Sequence, residues 1–492
     1  MKKYKLIFLF LILNCIKSPP CSEFDSSCNN LGYLIPNLFR TTTSNRASNS
    51  NPINLTYANP LYSVFLGDSF PTITPSSSGI YTSCIVSPSL PTGLSISPTT
   101  CAISGSPTVA GPGSSYQITA STNNFTTTTS IKIKILGPEA FRVYGQFGSF
   151  TVNVQNNQGN GTPNGGTANQ GSLNYNLGGV TIDANDNVYI ADNSNNRVLF
   201  YERGSTLASR VYGQNGSFTT TVSGTTATTL SGPSSVSLDS LGNVYISDAA
   251  NNRVLRYSNN GNTTANFVWG QNGSFTNGTS GAVAIDRFNG AINVFLDKKD
   301  NMYISLLDDN HRVLYYPAGS TVPTIAFGQP NVSSGTVGAT NPPPSEIKLS
   351  RPHGTTVDKD GNVFVFDNAN NRVVYYPVGT TTGTIFIGQT SSTTSASTCS
   401  STGLFESSTG AIDVNGNLFV GQSGYHRVSI FTPPFSTGMA ASKVLGQTNF
   451  NNFTNCTGGI GNNRFTNPFN MAFDSFGNLY VGDATNRRVL VF

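Results

Sequence analysis

Few residues in this sequence can do chemistry. Its histidines are His311, His353 and His426. An imidazole serves as general base or zinc ligand, but a zinc site needs three or four ligands that converge. His311 and His426 each stand just before an arginine, in "DDNHRVLYY" and "SGYHRVSIF", where sister copies of the phrase have Asn or Arg. That slot predicts surface turn residues. His353, in "RPHGTTVD", sits at the start of a strand and is the one candidate for the mouth of a channel. No nucleophile elbow, phosphate loop or Cys-His-Asp set has supporting context. No metal and no cofactor are expected.

A second set of charged residues recurs. Asp192 and Arg197, Asp248 and Arg253, Asp367 and Arg372, Asp483 and Arg488 keep one spacing, and Arg312 and Arg427 continue the series without the Asp. A guanidinium can bond a carboxylate and backbone carbonyls together, so each pair reads as a register device in the fold. A ligand site rarely needs the same pair in most repeats. The turn "DKDGN" (358–362) has the start of a calcium loop but lacks its remaining acidic ligands and closing Glu. Its relatives "DSLGN", "DVNGN" and "DSFGN" read as hairpin turns with Gly or Asn at left-handed positions.

These residues sit in repeated lines. "NVYIADNSNNRVLFY" (187–201), "NVYISDAANNRVLRY" (243–257), "NVFVFDNANNRVVYY" (362–376) and "NLYVGDATNRRVLVF" (478–492) are close copies, with looser ones at 301–316 and 417–431. A Gly-Gln marker recurs at 145–146, 213–214, 270–271, 328–329, 388–389 and 446–447. A fixed period of this size means a solenoid or a propeller. Each unit holds four strand candidates, as in "SSVSLD", "NVYISD", "RVLRY" and "NFVWG", which make one propeller blade. The region opens with a lone Gly-Gln strand and ends on a third strand. Pairing of 141–146 with 488–492 would therefore complete six blades and remove both terminal edges.

The pattern resembles the NHL repeat family, whose units carry an Asp-x-x-Gly-Asn turn, then Tyr-x-x-Asp, then Asn-x-Arg. Upstream, "SLPTGLSISPTTCAISGSP" (89–107) resembles the immunoglobulin-like modules of bacterial surface proteins through Leu90, Pro91, Gly93, Leu94, Ile103, Gly105 and Pro107. Cys101 stands where that family usually has Gly, which fits a local disulfide with Cys84. The expected fold is all-β: a small immunoglobulin-like sandwich over 56–137 and a six-bladed β-propeller over 141–492. Only 10% of residues are charged, against an average of about 25%, and the net charge is +4. Neither suggests a nucleic-acid partner.

The first fourteen residues, "MKKYKLIFLFLILN", have the layout of an export signal too short to span a bilayer. They resemble a bacterial lipoprotein signal, with Cys15 as the lipidated residue and 15–55 as a tether. Asn14 departs from the Gly or Ala usual before that Cys, and an ordinary secretory signal is the alternative. Lipid on Cys15 would leave six cysteines in an oxidising compartment. Proximity favours Cys21 with Cys28, Cys84 with Cys101, and Cys399 with Cys456. The expected protein is a monomeric, non-catalytic envelope lipoprotein, touching the membrane through its lipid only and most simply placed in the outer membrane. Its propeller would bind a protein, peptide or glycan. The alternatives are a purely structural component, or a metal-dependent enzyme like the lactonases and lyases on related propellers. The connections 147–176, 215–230, 330–348 and 390–403, rich in Thr, Ser, Asn and Gly, would be either recognition loops or solvated linkers.

Overall fold

The second strand of each repeat unit is apolar on both alternation classes, and a strand must be covered on both faces to tolerate that. The computed structural model, which describes residues 54–76, 80–159, 166–174, 178–279, 284–307, 310–334, 344–451 and 460–492, supplies the cover. Val188–Asp192, Val244–Asp248 and Val363–Asp367 are buried along their whole lengths. Each lies mid-sheet in a four-stranded antiparallel meander, and there are six such sheets beyond residue 141. In blade two the strands are Pro233–Leu238, Val244–Asp248, Arg253–Tyr257 and Phe267–Trp269.

Blade six takes its first three strands from Pro468–Phe473, Leu479–Asp483 and Arg488–Val491. Its fourth is Arg142–Tyr144, paired with the third in the register Val489 to Tyr144, Leu490 to Val143 and Val491 to Arg142. The first and last strands of the repeat region thus share a sheet. Inner strands pack on inner strands in sequence, and that of blade six packs on Val180–Ile182 of blade one.

The six hairpin turns after the inner strands are built alike. The aspartates at 183, 239, 297, 358, 413 and 474 each accept backbone N–H groups through Oδ1 from two and four residues on, and the side-chain amide of the closing Asn through Oδ2. The left-handed position is Gly in four turns, but Asp186 and Asp300 hold it in blades one and three, at φ of 63° and 61°. Both reach sideways. Asp186 accepts from Ser475 N–H and Oγ of blade six, and Asp300 from Ser240 N–H and Oγ of blade two.

The immunoglobulin-like module stacks two sheets. One orders Leu61–Phe65, Thr126–Leu136, Gly111–Ser121 and Ser83–Ser87, and the other Phe70–Ile73, Ile103–Gly105 and Leu94–Ile96. Ile103, Ile118, Ile131 and Ile133 fill the space between, beside a Cys84–Cys101 disulfide. Cys399 is half-buried, its Sγ 3.4 Å from the carbonyl of Phe450. Its expected partner Cys456, together with Cys15, Cys21, Cys28, the export segment and nearly all of the tether, lies outside the described residues.

Candidate functional site

Each repeat arginine begins the third strand of its blade, and all six are fully buried. The four pairs share one geometry. Arg Nε donates to Asp Oδ2 at 2.7 to 2.8 Å with both side chains inaccessible to solvent. The same Oδ2 takes an amide N–H from Asn195, Asn251, Asn370 or Asn486. Oδ1 takes a backbone N–H from the segment leading into the blade: Asn174, Ser231, Ser350 or Thr466. Burial pushes the carboxyls of Asp248, Asp367 and Asp483 up, and the adjoining guanidinium opposes it.

The other arginine nitrogens pin loops. Arg197 donates from Nη1 to the carbonyl of Phe218, after its blade, and from Nη2 to those of Asn169 and Ser172, before it. Arg253 holds Phe275 after its blade, and Thr226 and Thr229 before it. The connection 215–230 is therefore held from both sides. Arg488 reaches Phe150, so the last arginine pins the first connection.

Blades three and five depart as their sequences do. Arg427 meets Gln422 in place of Asp, at 3.4 Å, and neither its Nε nor that of Arg312 has a hydrogen-bond partner among the described residues. Burial pulls Arg312 down to about 10 and lowers Arg427 as well.

His311 is not at the surface, contrary to expectation, but 4% exposed. With φ of 42° it fills the left-handed position before Arg312, as Asn196, Asn252 and Asn371 do before theirs. The asparagines accept, through Oδ1, the N–H of Gly232, Gly290 and Glu406 in the next blade. His311 Nδ1 does the same for Arg351 at 3.1 Å. Imidazole and amide share the task because each offers one acceptor at similar reach. His426 occupies the same slot in blade five, half-buried, and burial lowers its pKa.

The Gly-Gln marker serves the same hairpin. Gln214 Nε2 donates to the carbonyl of Asn196, and Gln271 and Gln389 reach Asn252 and Asn371 likewise. That carbonyl lies 2.9 Å from where a Cβ on Gly213 would be, at φ of 81°, so only glycine fits.

The inner strands surround a cavity of about 1270 Å³ that opens at the turn end, beside Pro60, Leu61 and Ser63 of the immunoglobulin-like module. Just before the turn aspartates stand Ile182, Leu238, Leu296, Val357, Ile412 and Phe473, an apolar collar at its mouth. Deeper lie Thr355, Thr409, Asn293 and Asn470. His353 and Phe469 come from blades four and six and meet with ring centroids 6.2 Å apart, and neither lines the cavity. His353 therefore sits beyond its floor. Its Nδ1 is buried without a hydrogen-bond partner among the described residues, and burial, aided by the Arg351 charge, pulls its pKa down to about 3. Among the described residues no three His, Cys, Asp or Glu side chains are grouped closely enough to hold a metal ion.

Comparison with known families places both halves. The family model "Putative Ig domain" matches residues 41–136, and that of the NHL repeat matches 230–257 and 349–376. This chain carries NHL repeats behind an immunoglobulin-like domain. No curated protein matches the sequence. Among solved structures, the NHL-repeat chain is similar to a protein of unknown function from Bacteroides thetaiotaomicron, at 15% identity over 90% of this chain and 99% of that one, TM-score 0.44. An auxiliary nutrient binding protein from the same organism is 12% identical over 90% and 97%, TM-score 0.44. Virginiamycin B lyase from Staphylococcus aureus is 11% identical over 66% and 87%, TM-score 0.38.

Proposed function

We propose that this protein is a non-catalytic binding scaffold, exported and held in the cell envelope, most simply at the outer membrane, by lipid on Cys15. One observation carries the reading. The carboxylates that recur around the ring are engaged in the fold: each turn aspartate has both oxygens bonded within its own hairpin, and each paired aspartate has both bonded to its arginine, its asparagine and a backbone N–H. A carboxylate so engaged is a poor base and a poor metal ligand, because taking either role breaks bonds that hold a blade. What remains open to a partner is the apolar-collared cavity and the pinned connecting loops, on a rigid ring.

The test is an array of peptides, glycans and envelope proteins against the purified monomer, with binding expected to be saturable and to map to the propeller. Turnover of a lactone or an elimination substrate, abolished by His353→Ala, would overturn the reading in favour of an enzyme. For the anchor, Cys15→Ser should move the protein from the detergent phase to the aqueous phase. An unchanged partition would point to plain secretion.

A further inference from the structure

Resting on the scaffold reading, we propose that the turn end of the channel is a binding cup for an uncharged small molecule with an apolar body and a hydrogen-bonding end. The collar of Ile182, Leu238, Leu296, Val357, Ile412 and Phe473 puts six large apolar side chains around one opening. One residue deeper the side chains shrink in five of the six blades, to Thr181, Ser237, Thr356, Ala411 and Ala472, with Phe295 the large residue in blade three. Two residues below the collar Thr355 stands among Val180, Val236, Val294 and Met471, and one residue further down Asn293, Thr409 and Asn470 make the lining polar. Thr355 and Thr409 are 5% and 3% exposed, and neither hydroxyl has a hydrogen-bond partner among the described residues. Buried hydroxyls without partners are uncommon, and a ligand group that bonds them recovers what their burial loses.

Size and charge narrow the occupant. About 1270 Å³ lies a little above the 300 to 1,000 Å³ or so usual for small-molecule pockets, and far below the volume of a folded partner. Among the described residues, the walls between collar and floor carry no charged side chain, since the lining Asp and Lys residues stand at the turns. An ion entering there would lose its hydration without gaining a partner. The immunoglobulin-like module contributes Pro60, Leu61 and Ser63 to the rim, which makes this a site at a domain junction.

The probe is Nile red, uncharged and apolar with a carbonyl acceptor, titrated into the full chain carrying Cys15→Ser so that no detergent competes. One saturable, blue-shifted site is expected. Ala472→Trp, or Ala411→Trp if the first variant fails to fold, should fill the cup and weaken binding at least tenfold. The Thr355→Val, Thr409→Val double variant should weaken it severalfold. His353→Phe, beyond the floor, should leave it within twofold. Anilinonaphthalene sulfonate, an anion of similar size, should bind at least tenfold more weakly than Nile red. Absence of saturable binding, equal binding by a folded Trp variant, or equal binding of the anion would overturn the cup. A partner captured on the loops would still leave the scaffold reading standing, whereas turnover would remove that reading and leave the cup.

Discussion

A buried guanidinium is costly unless its donors are used, and the four repeat arginines paired with Asp meet that demand by acting as spokes between loops. Arg253 bonds Asp248 and four carbonyls from two connections. Lysine has one compact ammonium and cannot reach both sides. Arg253→Lys should therefore cost about 3 to 5 kcal/mol, the scale for breaking a buried pair, read from the urea unfolding midpoint at constant slope. His353 gives a prediction in pH. Its folded pKa lies below the unfolded value of about 6.5, so the neutral ring is favoured in the fold. The stability it allows is fully present above about pH 6.5 and is lost as pH falls toward about 3. His353→Phe keeps the ring contact with Phe469 and removes the proton site. The wild type should lose melting temperature more steeply than this variant between pH 6.5 and 4. Equal slopes would show that His353 charges at no cost.

Between elements, each of the first four blades is clasped to the next by the residue in the left-handed slot before its third strand. The sequence pattern marks that slot, since Asn196, Asn252 and Asn371 fall in line, and the strand runs, the Asp-x-x-Gly-Asn turns and the Gly-Gln strands are equally legible from spacing. What the pattern hides is chemical equivalence. His311 looks like a departure from Asn, yet its Nδ1 accepts the Arg351 N–H as an Asn Oδ1 would. His311→Asn should stay within about 0.5 kcal/mol of wild type, and His311→Ala should lose about 1 to 3 kcal/mol by leaving that N–H unpaired. Equal losses in calorimetry would mean that the clasp depends on imidazole packing. Asp186 and Asp300 escaped the pattern for a similar reason. They replace the turn Gly and take its backbone shape, while their carboxylates bond serines one blade away, a contact that no local spacing encodes. The cup was half legible: the apolar residue before each turn Asp is plain in sequence, but the unpartnered Thr355 and Thr409 hydroxyls are not, because only the packed ring decides which polar groups find partners.

For the whole molecule, the order of the markers foretold that the last strand would pair with the first after the module, but nothing in the sequence placed the module itself. Its seat follows from how blade six is assembled. In blades one to four the Asn closing the first turn accepts a backbone N–H from the third turn: Arg203 to Asn187, Asn259 to Asn243, Ala318 to Asn301 and Val378 to Asn362. Blade five has Pro433 at that position, which carries no N–H. Blade six has no such turn, because its fourth strand, Arg142–Tyr144, comes from ahead of blade one and not from beyond its third. The vacant acceptor on Asn478 is taken by Gly113 of the immunoglobulin-like module at 2.8 Å. Lys132 adds bonds to Ser475 and lies 4.1 Å from the Phe476 ring centroid. A Cβ on Gly113 would stand 2.1 Å from the carbonyl of Phe476, so the approach tolerates no side chain there. Gly113→Val should release the module while the propeller keeps its melting transition. Small-angle scattering should report a larger radius of gyration, and a protease should cut the joint between 137 and 141. Gly111→Ala, which meets nothing within 4 Å, should change neither. If the Val variant scatters like wild type, the Asn478 contact is incidental, and the module is held instead by Phe65 against Phe419 and Lys443 against Asp68.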